Sequence, residues 1–327
     1  MRRLAQIFSI VLLIFFGLQH GEAAPIPDAV KHIVTFVFLS DANGQLLLDK
    51  EGNPVPQGTA FFVGVPREAG KSEAIVYLVT AKHVLTDESG KLFSTVFLRL
   101  NRKVGDAEFV RVQIDPRFVF THPDPTVDIA VLPLLPPQNT YEYVVLSTDD
   151  FASPDKLKKF RVSEGSDVFF TGLLPNYYGG SKNTPIVRFG KVAMFPDQAI
   201  SWKEKPSDPV TKPHLYLLET QSFGGNSGSP VFFYAAPEPN ALIIGQQPLA
   251  LGGVMRGTLE RGRIVEFIPT ADLPIYRQNI GIAAVTPAYL VLEILDQKEL
   301  KDSRQQFFAT HPPIDVEPPT GSIPASK

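Results

Sequence analysis

Cysteine is absent from the 327-residue sequence. Its absence excludes disulfides, thiolate catalysis and attachment of a lipid through a cysteine. Strong charge of either sign is lacking too: the formal net charge is −3, and −4 once Arg2, Arg3 and Glu22 are set aside with residues 1–24. A general binder of nucleic acid or anionic membranes carries a basic surplus, so neither class fits. There is no His-Glu-x-x-His pair, no clustered carboxylate site and no glycine-rich phosphate loop, so no metal and no organic cofactor is expected. Histidine is scarce, at six residues, few enough for each to be weighed singly as a catalytic base.

The chain opens MRRLAQIFSIVLLIFFGLQHGEAAP: two arginines, an almost unbroken apolar run from Ile7 to Leu18, then small residues around Ala23 and Ala24. This is the order of a secretory signal, expected over residues 1–24. The run of twelve residues falls short of the ~20 that span a bilayer. Cleavage is therefore expected over retention as an anchor, leaving no stable membrane span and an exported protein, periplasmic or secreted. Secreted animal proteins of this kind usually carry disulfides, so the lack of cysteine points to a bacterial envelope or secreted setting. At the far end, HPPIDVEPPTGSIPASK has five prolines and little to bury, and residues 311–327 read as a disordered tail.

Between those ends, 24 phenylalanines and a hydrophobic fraction of 44% supply enough apolar surface for one large core or two modest ones. The pattern is one of short runs rich in Val, Ile, Phe and Tyr, punctuated by Gly, Pro, Asn and Asp. VTFVFLS (34–40), GTAFFVGV (58–65), AIVYLVT (74–80), STVFLRL (94–100) and FVRVQI (109–114) form a first group. DVFFTGL (167–173), PIVRFGKVAMF (185–195), HLYLLET (214–220), PVFFYA (230–235), PLALGGVM (248–255) and IGIAAV (280–285) form a second. Neither group sustains a helical period. An all-β chain of two antiparallel barrels is expected: one over 25–140, a linker over 141–160, and a second over 161–310 that includes one helix. In that helix Thr286 would cap, Pro287 would take the first position, and Leu290, Val291, Ile294 and Leu295 would pack onto the second barrel. Two polar stretches in the second barrel, 177–185 and 201–213, the latter with Trp202, read as solvent-exposed connectors.

SFGGNSGSPVFF, residues 222–233, crowds three glycines and three serines ahead of an apolar strand. Such a cluster either reverses the chain or lets main-chain N–H groups converge on one point. Ser227 stands at its centre. A serine hydroxyl needs a base within hydrogen-bond reach, and the base needs a carboxylate to hold its tautomer. His20 leaves with the signal, His311 lies in the tail, and His32 and His214 open strands. His83 follows a strand directly, in YLVTAKHVL. Asp128 opens the apolar run Ile129-Ala130-Val131-Leu132, where a half-buried carboxylate calls for a donor such as an imidazole N–H. His122 and Asp124, beside prolines, read as surface residues.

GTAFFV, YLVTAKHV, VDIAVLPL and GGNSGSPV, in that order over roughly residues 33–295, resemble the trypsin-like serine peptidase family. The nearest branches are the bacterial HtrA-type (DegP-like) peptidase domain and the glutamyl endopeptidases. The resemblance implies two perpendicular six-stranded β-barrels with the site between them. It implies His83 as general base, Asp128 as orienting carboxylate and Ser227 as nucleophile, with the N–H groups of Gly225 and Ser227 as oxyanion hole. It also implies a specificity pocket lined by Gln221, Ser222, Met255, Arg256 and Gly257. No acid stands at that pocket's base and no histidine in residues 254–257, so a small or medium apolar substrate side chain is expected over Arg, Lys or Glu. Ser229 is given a packing role. Asn226 replaces the aspartate that pairs with a freshly cut N-terminus in animal members, so no activating ion pair is expected. Too few residues follow position 295 for a PDZ domain.

The expected function is that of a serine endopeptidase acting on protein or peptide substrates through an acyl-enzyme. The alternatives are a protease-fold binding protein of the cell envelope that does not cleave, and a β-sandwich adhesion module in which these motifs coincide by chance.

Overall fold

The computed structural model describes residue 26 and residues 28–69, 73–196, 198–203, 209–235, 248–264 and 275–311. The signal expected over 1–24, and all but His311 of the tail expected over 311–327, lie outside these residues. The first unit is built from β1 (Val34–Leu39), β2 (Pro56–Pro66), β3 (Ala74–Thr80), β4 (Thr95–Arg102), β5 (Glu108–Gln113), β6 (Phe120–Thr121), β7 (Ala130–Pro133), β8 (Tyr141–Glu142) and β9 (Val145–Ser147). Its main path runs β5-β4-β1-β2-β3-β7-β6, with β8 on β4 and β9 on β2. Nine strands take part where a six-stranded barrel is expected, and β6, β8 and β9 are only two or three residues long. Proline, which cannot donate to a ladder, interrupts the chain after β7. The chain then returns to the sheet, so pairing continues through Ser147 and into the segment 141–160 expected as linker.

The second unit closes. β10 (Asp167–Gly172), β11 (Ile186–Met194), β12 (Tyr216–Glu219), β13 (Pro230–Tyr234), β14 (Leu249–Ile264) and β15 (Ile275–Pro287) form a six-stranded barrel in the order β10-β11-β12-β15-β14-β13. Every pair in it is antiparallel. Between the units, Ser153 caps the short helix α1 (Pro154–Lys159) by accepting from the N–H of Lys156 at 3.1 Å, and proline takes the first helical position.

Runs such as GTAFFVGV lack polar alternation because both faces of the first sheet are covered. Ala60 and Phe62 face an inner cluster with Leu78 and Leu98. Phe61 and Val63 face a second cluster that joins Phe36 and Val131 to Phe169, Phe232 and Val254 of the second barrel. The two units thus share one hydrophobic seam.

Two helices end the described chain: α2 (Tyr289–Leu295) and α3 (Lys298–Thr310). The expected stripe is buried, with Val291 and Ile294 fully covered, each such side chain contributing ~2 kcal/mol. Its expected cap is corrected, and its packing reaches beyond the second barrel. Thr286 and Pro287 end β15 rather than start the helix, whose N-cap is Ala288. The two helices also cover the first sheet as well as the second barrel. Gln297 Nε2 donates to the Thr121 carbonyl at 2.8 Å, and the buried Arg304 donates to the Tyr77 hydroxyl at 3.2 Å. His122, expected at the surface, is largely covered and meets Glu293 of α2 at 2.9 Å. The stretch 177–185, expected as a solvent-exposed connector, has Tyr177 exposed and is also held to the first unit. Arg99 of β4, itself buried, donates to the Tyr178 carbonyl at 3.2 Å and to Asn183 Oδ1 at 2.7 Å, tying that stretch to the first sheet.

Candidate active site

His83 sits on a single 3-10 turn, Lys82–Leu85, that begins two residues after β3 ends. Asp128 lies two residues before β7, between the buried Val127 and Ile129, and is itself buried. His83 engages both carboxylate oxygens: its main-chain N–H donates to Oδ1 at 3.0 Å, and its Nδ1 meets Oδ2 at 2.6 Å. Burial pushes the Asp128 carboxyl up, but the His83 imidazole, the Arg256 charge and the His83 N–H together hold it down to about 2. An ionised carboxylate only accepts, so Nδ1 of His83 carries the proton. In the neutral ring Nε2 is then left with its lone pair.

Ser227 belongs to a loop clamped to the first unit by Thr59 of β2. The Thr59 N–H donates to the Ser227 carbonyl at 2.9 Å, and its hydroxyl donates to the Gly225 carbonyl at 2.8 Å while accepting from the Leu173 N–H at 2.9 Å. Next to it, Gly58 spaces the two catalytic candidates. A Cβ there would lie 2.7 Å from Val84, the residue after His83, and 3.0 Å from the Ser227 carbonyl. The half-buried Ser227 hydroxyl donates to the Arg256 carbonyl at 3.2 Å. Arg256 in turn lines a cleft with His83 and Asp128.

Gly225 has φ +87° and Gly228 has φ +84°, a region costly for any residue with a Cβ. No hydrogen bond of the Gly225 or Ser227 N–H is found among the described residues, whereas those of Asn226, Gly228 and Ser229 are taken up within the loop and by β14. A Cβ on Gly228 would lie 2.0 Å from the Thr59 carbonyl and 2.4 Å from Thr80 Oγ1. Gly228→Ala is therefore expected to destabilise the protein by on the order of 3 kcal/mol, combining left-handed strain with overpacking. Urea unfolding checks it; an unchanged midpoint would contradict this placement of the loop.

The buried Asn226 stands where the resemblance places a charge. Its Nδ2 donates to the Leu173 carbonyl at 2.7 Å and its Oδ1 accepts from the Phe223 N–H at 2.9 Å, so the loop is braced by neutral hydrogen bonds. Ser229 is fully buried, its Oγ without a partner among the described residues, and a Cβ on the adjacent Gly172 would meet that oxygen at 1.9 Å.

The residues expected to line a specificity pocket divide. Gln221 is exposed, Ser222 buried, and Gly257 half-buried, with nothing among the described residues within 4 Å of where its Cβ would be. Met255 is corrected: its side chain is fully buried in the second barrel's interior with Phe170, Val231 and Phe233. Its neighbour Arg256 falls at a bulge in the β14–β15 ladder, between Met255 and Gly257. The Arg256 guanidinium turns to the first unit, where Nη1 donates to the Thr126 carbonyl at 2.8 Å, beside the cleft that Arg256 lines with His83 and Asp128. It lies 5.8 Å from the Trp202 ring, and Trp202 is buried against Leu215 and Ala284 rather than on a solvent-exposed connector.

Sequence reasoning missed Thr59 and assigned Arg256 a different task. The available signal was chemical type: a threonine inside an apolar strand and a cation on a core strand each need a buried partner.

A closed six-stranded barrel joined along an apolar seam to a second β sheet defines the chymotrypsin-like fold. The sequence profile of the trypsin-like peptidase domain matches residues 51–235. The chain belongs to the trypsin-like peptidase family. No curated protein sequence matches it. Among solved structures it is similar to the protease domain of MamO from Magnetospirillum magneticum, at 16% identity over 81% of this chain and 97% of that one, with a TM-score of 0.44. It is similar to the active form of the Rv3671c protease from M. tuberculosis, at 18% identity over 82% and 81%, with a TM-score of 0.41. Human heparin binding protein gives 10% identity over 82% and 90%, with a TM-score of 0.40.

Proposed function

We propose that the protein is an exported serine endopeptidase, periplasmic or secreted, that hydrolyses peptide bonds through an acyl-enzyme. The observation that carries the reading is His83, whose two donors occupy both oxygens of a buried, ionised carboxylate. Nδ1 is thereby protonated and Nε2 left basic. Rotation of the Ser227 hydroxyl from the Arg256 carbonyl toward Nε2 lets His83 take its proton as Oγ attacks the substrate carbonyl carbon. The N–H groups of Gly225 and Ser227 receive the developing oxyanion. As the tetrahedral intermediate collapses, the C–N bond breaks and His83 returns the proton to the leaving amine. Water then attacks the acyl ester, His83 again taking and returning a proton, and the acid product leaves.

The neutral bracing of Asn226 supports a place near the HtrA branch. Gln221 and Ser222, neither of them charged, speak against an Arg, Lys or Glu side chain in the specificity pocket, and a small or medium apolar one is proposed there.

A second reading, a protease-fold binding protein that does not cleave, has the Ser227–Arg256 hydrogen bond in its favour, since the hydroxyl is turned to a carbonyl. A fluorophosphonate separates the two. It phosphonylates an activated serine with loss of fluoride and leaves an ordinary one untouched, so labelling at Ser227 is the outcome expected. An unlabelled folded protein would favour the second reading.

A further inference from the structure

The carbonyl that receives the Ser227 hydroxyl could belong to any residue, so the reading above gives no reason for an arginine side chain at 256. Yet Arg256 is only 6% exposed, and a buried guanidinium is costly unless it is well partnered. Among the described residues, contacts reach it from several directions. Nη1 bonds the Thr126 carbonyl, two residues before Asp128; the Trp202 ring lies 5.8 Å from its Cζ; and its carbonyl takes the Ser227 hydroxyl. It lines the same cleft as His83 and Asp128.

Among the described residues the charged groups facing His83 on that cleft are Asp128 from the turn before β7, Lys82 from the 3-10 turn and Arg256 from β14. The lining residues from the 86–90 turn, from 125–126 and from 209–211 are uncharged. Lys82 is drawn to the Pro125 carbonyl at 3.0 Å, at an exposed position where water screens it. Arg256 is buried, so its field on the pair is screened less.

We propose that Arg256 is a positioning residue for the triad. Its guanidinium pins the 126–128 segment of the first unit to β14 of the second, and its positive charge offsets part of the negative charge of Asp128. His83 is thereby kept an unprotonated base into mildly acidic solution. The effect on rate rests on the peptidase reading; the effect on the imidazole does not.

The test is made first where no turnover is needed. In the full-length Ser227→Ala protein, the His83 Cε1–H resonance, assigned by its loss in His83→Gln, is followed against pH with Arg256 intact, Arg256→Met or Arg256→Lys. Methionine removes the charge at similar length, and lysine keeps it. The midpoint is expected to rise by about one pH unit with methionine, a cation near the imidazole having been lost, and to stay near the parent value with lysine. With Ser227 present, the acid limb of kcat/KM on a peptide ester should move the same way in Arg256→Met, and kcat should fall in Arg256→Lys, which lacks the forked donor. A methionine midpoint that is unchanged or lower, or a lysine midpoint that moves as far as methionine's, overturns the proposal. Should Arg256→Met give no folded circular dichroism spectrum, Arg256→Gln carries the same two criteria. A parent protein inert to fluorophosphonate would overturn the peptidase reading alone, the imidazole titration still deciding the role of Arg256.

Discussion

Ser227→Ala is expected to abolish fluorophosphonate labelling and to lower kcat on a peptide substrate by on the order of 10⁶-fold. The change removes one oxygen from a loop held by other contacts. The Thr59 bonds to the carbonyls of Gly225 and Ser227 and the Asn226 bonds to Leu173 and Phe223 do not involve the hydroxyl. Among the described residues only its bond to the Arg256 carbonyl is lost, and a partly exposed neutral hydrogen bond is worth ~1 kcal/mol. A melting temperature within a few degrees of the parent should therefore accompany complete loss of labelling, which separates chemistry from folding. Labelling that survived the substitution would sink the assignment. The neighbouring Ser229 could not account for it without rearrangement, being fully buried.

Asp128→Asn should cost ~10⁴-fold in kcat with little change in KM. His83 presents two donors to the two carboxylate oxygens, the ring Nδ1–H and the main-chain N–H. An asparagine has one oxygen and one NH₂, so a donor must face a donor at one position. If the NH₂ faces the ring, the imidazole takes its other tautomer, with the proton on Nε2, and can no longer accept from Ser227. If it faces the main chain, the turn carrying His83 loses its anchor. Steady-state kinetics check this; a loss below about tenfold would show that the carboxylate is not holding the tautomer.

Acid stability should change in the same variant. The Asp128 carboxyl is held at about 2 in the fold against 3.8 for the ordinary group, a difference of roughly 2 kcal/mol by linkage. Because the folded value is depressed, the stabilisation is present above the unfolded value and is lost as pH falls from about 4 through about 2. Asp128→Asn has no such group to titrate. Its urea midpoint should therefore fall less steeply than the parent's across that window, and parallel curves would count against the burial and pairing of Asp128.

Much of the candidate site was legible because the proposed chemistry needs particular residue types in fixed local settings. His83 directly after a strand, Asp128 ahead of an apolar run and Ser227 among small residues each carry a signal within about ten positions. The strands were legible too, since β-branched and aromatic runs bounded by Gly and Pro rarely do anything else. Helix α3 was not, because among its thirteen residues only Leu300 and Arg304 are buried, too little for an apolar period to show. The short pairings of β8 and β9 escaped as well, since two or three residues of ladder are shaped by their partner strands rather than by their own composition.

By itself, then, the amino-acid order determined an all-β chain, the trio of residues to suspect and the absence of thiol chemistry, all of which follow from residue type and neighbours within a few positions. The three-dimensional packing alone decided that Met255 belongs to a barrel interior while Arg256 reaches across to the acid's loop, that Thr59 clamps the serine loop, and that the last helices cover the first sheet. Each of these is a contact between segments far apart in the chain. Which face of a strand meets which neighbour is set by register and closure, and no local run of residues encodes it.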